Sequence, residues 1–515
     1  MSVTLRRARV LQAPGQPSVL ADVEIAAGVI TGVRPSAAAH QRAQSHPRDR
    51  SDHEVVDLDG RWLIPGLWDA HVHMVQWALV RRRLDVSGAG SAREVADLVR
   101  ARIAVDPPVA GAMLVGFGFR DATWPDAPTL ELLDRAAGGH AVALVSGDLH
   151  CGWFSSAALR RLGVTSDASG LLREREFLPR MGEFDGGTPA ERDAWVREAA
   201  QAAAARGVVG IVDFEVADIA ADWTRRLADS RADLETPPPG TLRIRTGVWP
   251  QYLDEVLARG IRGGEPLPGV MRDAAGTPLG HVGPLKVISD GSLNTRTALC
   301  HEPYLDADGA ASDLWGAANL TSEELTDVMR RARAAGMPCA SHGIGDRAIT
   351  RALYSFDSSS ASGTIEHAQL LTAADVRRFA ALGITASVQP QHLIDDRAVA
   401  DQLWADRTSR AYPFADLLAA GVRLALGSDA PVARLDPWQA IAAAVTRTGD
   451  AQPPWHPEQR IDAWAALAAS TDGAGVSPAV GRVADLAVLE TDPLAASRDV
   501  AVAGTLLAGE WTHRG

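Results

Sequence analysis

Residues 67–73 read Leu-Trp-Asp-Ala-His-Val-His, an apolar run that ends in two histidines. On a β-strand, side chains at i and i+2 point the same way, so His71 and His73 would share one face. Neutral imidazole is a frequent ligand for zinc and similar metals. Two histidines at this spacing are a weak signal taken alone, and their meaning depends on the surrounding pattern.

Working outward, short apolar runs alternate with longer segments of helical period. The candidate strands are 67–73, 208–214, 242–249, 285–290, 338–342, 363–367, 384–389 and 423–429. Helical patterns lie between them, roughly over 190–206, 346–356, 373–382 and 413–420. Another opens at Thr321-Ser322-Glu323-Glu324 and stops at Gly336, with Pro338 close behind. Eight strands alternating with helices are the signature of a closed parallel (β/α)8 TIM barrel, an α/β fold. Loops at the C-terminal ends of such strands build active sites, so both histidines would face the barrel mouth.

The interval 75–190 is too long for one crossover and carries its own strand pattern, AVALVS at 141–146; it reads as an insertion after the first barrel strand. Both chain ends have strand-and-turn character. The expected organisation is therefore 1–64 and 471–515 as a small second domain, with the barrel over 65–470. Residues 35–53 have no apolar period and read as a solvated loop, His40, His46 and His53 included.

The chain has 515 residues, 46% hydrophobic and 22% charged, an ordinary globular composition. Its net charge of −13 argues against a nucleic-acid partner, which needs a basic face. No apolar stretch has the length of a membrane span, and the N-terminus lacks the apolar core of a signal peptide. Cys151, Cys300 and Cys339 have no CxxC spacing and give no disulfide framework. The expectation is a cytoplasmic protein acting on a small molecule, with no membrane partner and a homodimer as the default assembly.

One count stands out. Of 51 basic side chains, all are arginine except Lys286. Codon drift explains the absence of lysine elsewhere, but an amine can lose its proton and become a nucleophile, which a guanidinium cannot. Lys286 lies on the fourth candidate strand. His342 and His367 end the fifth and sixth, and Asp429 ends the eighth. Each has a bland reading: a helix cap, a core histidine bonded to a carbonyl, a turn residue before Pro431. Together they place ligand-type residues on five strands, which coincidence explains poorly.

These residues, with the motifs IPGLWDAHVHM, LKVISDGSLNTRTA, SHGIGDRAI, EHAQ and GSDAPV, resemble the amidohydrolase superfamily. They look most like its YtcJ-like (amidohydrolase 3) branch, which includes N-substituted formamide deformylases. The segments GFRDATWPDAPTLELLD and HAVALVSGDLHCGWFSSAAL resemble that branch's insertion, and the chain ends its small β-sandwich.

The resemblance implies a metal site. His71 and His73 with Asp429 would hold one divalent ion, and His342 and His367 a second. Lys286 would bridge them as an N6-carboxylated side chain, since an ammonium there would repel both cations. Zinc is the default for mixed nitrogen and oxygen ligands, bound as one or two ions. The implied reaction is hydrolysis of a C–N bond, of amide or formamide type, by a metal-bridging hydroxide. Asp429 and Lys286 are its catalytic residues, Asp429 moving a proton to the leaving nitrogen.

Arg296, His150, Trp153, Trp124, Gln389 and His392 are candidate substrate contacts. With 14 Trp against 4 Tyr, some tryptophans must simply pack. Ester or lactone hydrolysis and deamination are the alternatives within the superfamily. Outside it stand a Schiff-base lyase using Lys286, which leaves the histidines unexplained, and a scaffold without catalysis, which would be expected to have lost ligands.

Overall fold

The computed structural model describes residues 2–36, 53–109, 111–183, 187–228, 240–306, 308–449 and 452–515. Eight parallel strands follow the chain in order: β1 (Leu67–Val72), β2 (Val208–Asp213), β3 (Arg243–Val248), β4 (Gly280–Ile288), β5 (Cys339–Gly343), β6 (Gly363–His367), β7 (Thr385–Val388) and β8 (Leu424–Leu426). Each pairs with its sequence neighbour, and a parallel bridge from Val72 to Ala430 joins the first to the end of the last. The fold is a TIM barrel. Its strands are close to continuously apolar because helices cover their outer face.

The helices form for local reasons that the sequence states. Ser322–Ala334 opens with a capping box: Glu324 N–H donates to Thr321 Oγ1 (3.2 Å) and Thr321 N–H donates to Glu324 Oε2 (2.7 Å). Pro189–Ala204 uses the same device with Thr188 and Glu191, and Pro sits in its first turn. Buried stripes such as Ile349, Ala352, Leu353 and Phe356 on the helix Asp346–Ser359 close the space outside the strands.

Two strand ends differ from the sequence expectation. β1 stops at Val72, and His73 instead caps the helix Met74–Val80, whose first N–H donates to Asp213 (3.1 Å). β8 stops at Leu426, leaving Asp429 in the loop beyond it, with φ 57°. The two ends are bonded to each other at the barrel mouth: His73 N–H donates to Ala430 O (2.7 Å) and Asp429 N–H to His71 O (2.8 Å).

Eight strands from both chain ends make the second domain, a small β-sandwich whose core includes Leu5, Val23, Leu63, Leu486 and Leu506. His40 and His46 lie outside the described residues. His53 is not in a loop: it starts the strand His53–Asp57, its ring near the hydroxyls of Ser2 (2.9 Å) and Thr4 (3.2 Å). Between β1 and β2 a five-stranded sheet (84–85, 113–119, 141–146, 151–154 and 171–173) packs on its own core.

Barrel and sandwich are clasped by a nearly buried ion cluster. Arg243 on β3 pairs with Asp485 (2.5 Å) and with Asp273 (2.6 Å), the three side chains being 11%, 18% and 3% exposed. Removing the cation leaves two carboxylates facing each other in a poorly solvated place, so Arg243→Ala should cost about 3 kcal/mol or more. The check is the midpoint of denaturant unfolding; an unchanged midpoint would show that the clasp contributes nothing.

Candidate metal centre

The C-terminal ends of the strands converge on one cluster. His71 and His73 rings lie 5.6 Å apart, His71 and His367 5.2 Å, His342 and His367 4.6 Å, and His367 and His392 5.9 Å, centroid to centroid. Asp429 sits among them. Its Oδ1 is 3.3 Å from His73 Nε2 and 3.5 Å from His71 Nε2, and its Oδ2 is 3.8 Å from His392 Nε2. Lys286 Nζ, buried against the Phe214 ring (4.6 Å), is 3.3 Å from His71 Nε2.

Outer carboxylates set the imidazoles' orientation. His71 Nδ1 is 2.7 Å from Glu366 Oε2, and His342 Nδ1 is 2.9 Å from Asp290 Oδ1. Each ring so held has Nε2 left for the site, the usual arrangement around a metal ligand. Asp290 also accepts from the backbone N–H of Leu299 (3.0 Å), Ile344 (3.2 Å) and Gly345 (2.9 Å), which fixes it in turn. Asp69 Oδ1 accepts from the N–H groups of His71 (3.2 Å) and Ser428 (2.8 Å), tying β1 to the loop after β8.

Burial decides the protonation states. It pushes His71 and His367 well below the ordinary histidine range, helped by nearby cationic groups, and lowers His342 despite Asp290. Three rings are therefore neutral near pH 7 and have lone pairs to donate. Burial alone also brings the Lys286 amine down to about 8. At Asp429 burial works towards protonation, but the hydrogen bond and charge of His73, itself raised by Asp429, prevail and keep it ionised. Burial raises Asp69 to about 7.

The donor set fits a divalent ion. His71, His73 and Asp429 form one group whose ligand atoms lie within 4.8 Å of one another; His367, His392 and Asp429 form another. His367 Nδ1 and His392 Nε2 are buried with no hydrogen-bond partner, as atoms reserved for a metal would be. His342 touches His367 edge-on but, anchored to Asp290, stands outside both close groups. His392, expected as a substrate contact, stands inside one.

The cluster forms the floor of a cavity of about 740 Å3. His150 from the inserted segment is on its wall, with Nδ1 3.0 Å from Glu174. Burial would lower His150, but the Glu174 bond and charge, joined by Asp148, push it up to about 9. Four expected substrate contacts lie away from this cavity. Trp153 is fully buried in the inserted sheet's own core, and Trp124 packs beside Phe119 (5.9 Å between rings) on the same core. Gln389 is buried with its amide turned to Ser387 O (3.4 Å), and Arg296 sits in a left-handed turn (φ 58°); neither is on the cavity wall. The three cysteines are buried thiols, raised by desolvation and inert.

The sequence reading missed Glu366, which strand alternation would place opposite its neighbour His367. The positive φ of His367, 70°, breaks the alternation and lets both residues serve the site. It also missed Asp148, on the cavity wall, and Glu174, which holds His150 from behind; the path of the insertion brings both there.

A family model described as the amidohydrolase family matches residues 54–513. The putative amidohydrolase YtcJ of Bacillus subtilis is 27% identical over 482 residues, 86% of either chain. The N-substituted formamide deformylase of Arthrobacter pascens is 26% identical over 490 residues, again 86% of either chain. Protein LONG AFTER FAR-RED 3 of Arabidopsis thaliana is 29% identical over 491 residues, 85% of this chain and 79% of its own. Among solved structures, an uncharacterized metal-dependent hydrolase from Pyrococcus horikoshii has the same fold, with TM-score 0.74 at 22% identity, covering 96% of this chain and 98% of its own.

If Glu366 and Asp290 orient metal ligands, replacing either by alanine should weaken metal binding by about ten- to a hundred-fold. Competition against a chromogenic chelator measures this; wild-type affinity in both variants would refute the arrangement.

Proposed function

The chain belongs to the amidohydrolase family, metal-dependent hydrolases, and from that premise we propose that it cleaves a C–N bond of amide or formamide type. The observation that carries the reading is the buried Lys286 amine, 3.3 Å from His71 Nε2 and surrounded by donors that suit divalent cations. In this reading His71, His73 and Asp429 would hold one divalent ion, zinc by default, and His342 and His367 a second, with Lys286, once N6-carboxylated, supplying an anionic oxygen donor in place of a repelling ammonium. Ions bound there would polarise a substrate carbonyl and acidify a water.

The protein's own residues do the rest. Glu366 and Asp290 hold His71 and His342 with Nε2 towards the site. Asp429, ionised and poorly solvated, accepts the proton of the attacking water and delivers it to the leaving nitrogen. Lys286 acquires its carboxylate when the neutral amine adds to carbon dioxide and loses one N–H proton. An amine at about 8 is neutral to a useful extent at mildly alkaline pH. The amide or formamide specificity draws on the Arthrobacter relative.

Three expectations follow from these roles. Asp429→Asn should keep most of its metal and lose turnover by about a thousand-fold, the scale of general acid–base catalysis; near-normal turnover sinks the proton-transfer role. Lys286→Arg, which preserves charge but cannot add carbon dioxide, should fail to retain two ions by metal analysis. Apoprotein given zinc and the same concentration of dissolved carbon dioxide at each pH should recover activity faster at pH 8.5 than at pH 6.5. The neutral amine is roughly twenty-fold more abundant at the higher pH for a group near 8. Equal recovery at both pH values would mean that the amine is not the reacting group. A panel of N-acyl and N-formyl compounds, with matched esters, tests the bond type.

A further inference from the structure

The turn after β4 is braced by its hydroxyls. Ser292 Oγ donates to Asp148 Oδ2 (2.8 Å), and Thr295 and Thr297 Oγ1 both donate to Glu174 Oε1 (2.8 Å each). Both carboxylates come from the inserted segment, and Glu174 also holds His150. The turn is thus fixed against the insertion at three points.

Asn294, in the middle of this turn, is treated differently. It is only 8% exposed and lines the cavity, yet neither Oδ1 nor Nδ2 has a hydrogen-bond partner. A buried polar group left unpaired costs about 1–3 kcal/mol. Here that cost falls on a carboxamide whose hydroxyl neighbours are all satisfied, on the wall of the cavity that holds the donor cluster. Exceptions of this kind need a partner that the fold does not supply.

We propose that Asn294 is a substrate-recognition residue that pairs with an uncharged donor–acceptor edge, an N–H and a C=O on the same side, as in a primary carboxamide, a urea or a lactam. This inference rests on the reading of the cavity as an amide hydrolase site and narrows its substrate class. A carboxamide offers both donors and an acceptor, so it satisfies such an edge at two points. A carboxylate has no donor for Oδ1 and would leave it unpaired. Val75, Leu149, Trp249 and Leu293, which line the same cavity, suit an apolar body attached to that edge.

The probes are benzamide, which has the edge, and N,N-dimethylbenzamide, which lacks the N–H. Their binding to the metal-loaded protein is measured by calorimetry. The wild type should prefer benzamide by about ten-fold or more, the value of one or two hydrogen bonds. Asn294→Leu should bring the two probes to within about two-fold of each other, whereas Asn294→Asp, which keeps the acceptor for the probe N–H but has no donor for the carbonyl, should weaken both probes and keep the preference. Because Asn294→Leu removes an unpaired buried group, its melting temperature should hold or rise. That separates recognition from a structural role. The proposal is overturned if the wild type binds both probes equally, if Asn294→Leu keeps the preference, or if that variant melts markedly lower with binding intact. Binding needs no turnover. A protein that distinguishes the probes through Asn294 yet cleaves no C–N bond supports the recognition role and rejects the hydrolase reading.

Discussion

The barrel mouth brings five imidazoles, a carboxylate and an amine into one poorly hydrated space, and desolvation there governs the rest of the structure. Burial keeps three of the rings neutral and lowers the lysine amine, while the hydrogen bond and charge of His73 hold Asp429 ionised. Such a collection is costly to fold around unless each member is oriented from behind. Glu366 behind His71, Asp290 behind His342 and Asp69 between β1 and the β8 loop perform that task. His367 Nδ1 and His392 Nε2 are left buried and without partners, on two residues of one donor group.

The same constraint explains the backbone. His367, the last residue of β6, and Asp429, in the loop after β8, both adopt left-handed conformations, rare for residues with a Cβ. A regular strand would have turned alternate side chains away from the mouth. Strain at these positions is tolerated because the neighbouring strands and Asp69 over-determine them. The inserted segment then roofs the cavity and braces the turn after β4 through Asp148 and Glu174. A carrier of chemistry on the barrel and a carrier of shape beside it thus meet at one wall.

Much of this was legible in the chain. All eight barrel strands and most of the flanking helices were evident from apolar runs and cap signals, because parallel strands are buried on both faces and helix starts announce themselves locally. His71, His73, Lys286, His342, His367 and Asp429 stand out because each ends or lies on an apolar run of strand type in the sequence. The substrate contacts fared unevenly. His150 and His392 reach the cavity, whereas Trp153 and Trp124 serve the inserted sheet's core. An aromatic in an insertion looks the same in sequence whether it faces a ligand or a neighbouring helix.

Alone, the sequence determined the barrel and the family to which the chain belongs and offered candidate donor residues, since these depend on periodicity and on motifs a few residues long. Only the tertiary structure decided which carboxylate stands behind which histidine, that His392 joins a donor group, and that Asn294 faces the cavity unpaired. Those relations join residues far apart in the chain, such as His71 with Glu366 and Ser292 with Asp148. Their geometry follows from closing the barrel and laying the insertion over its mouth, and no local pattern encodes it.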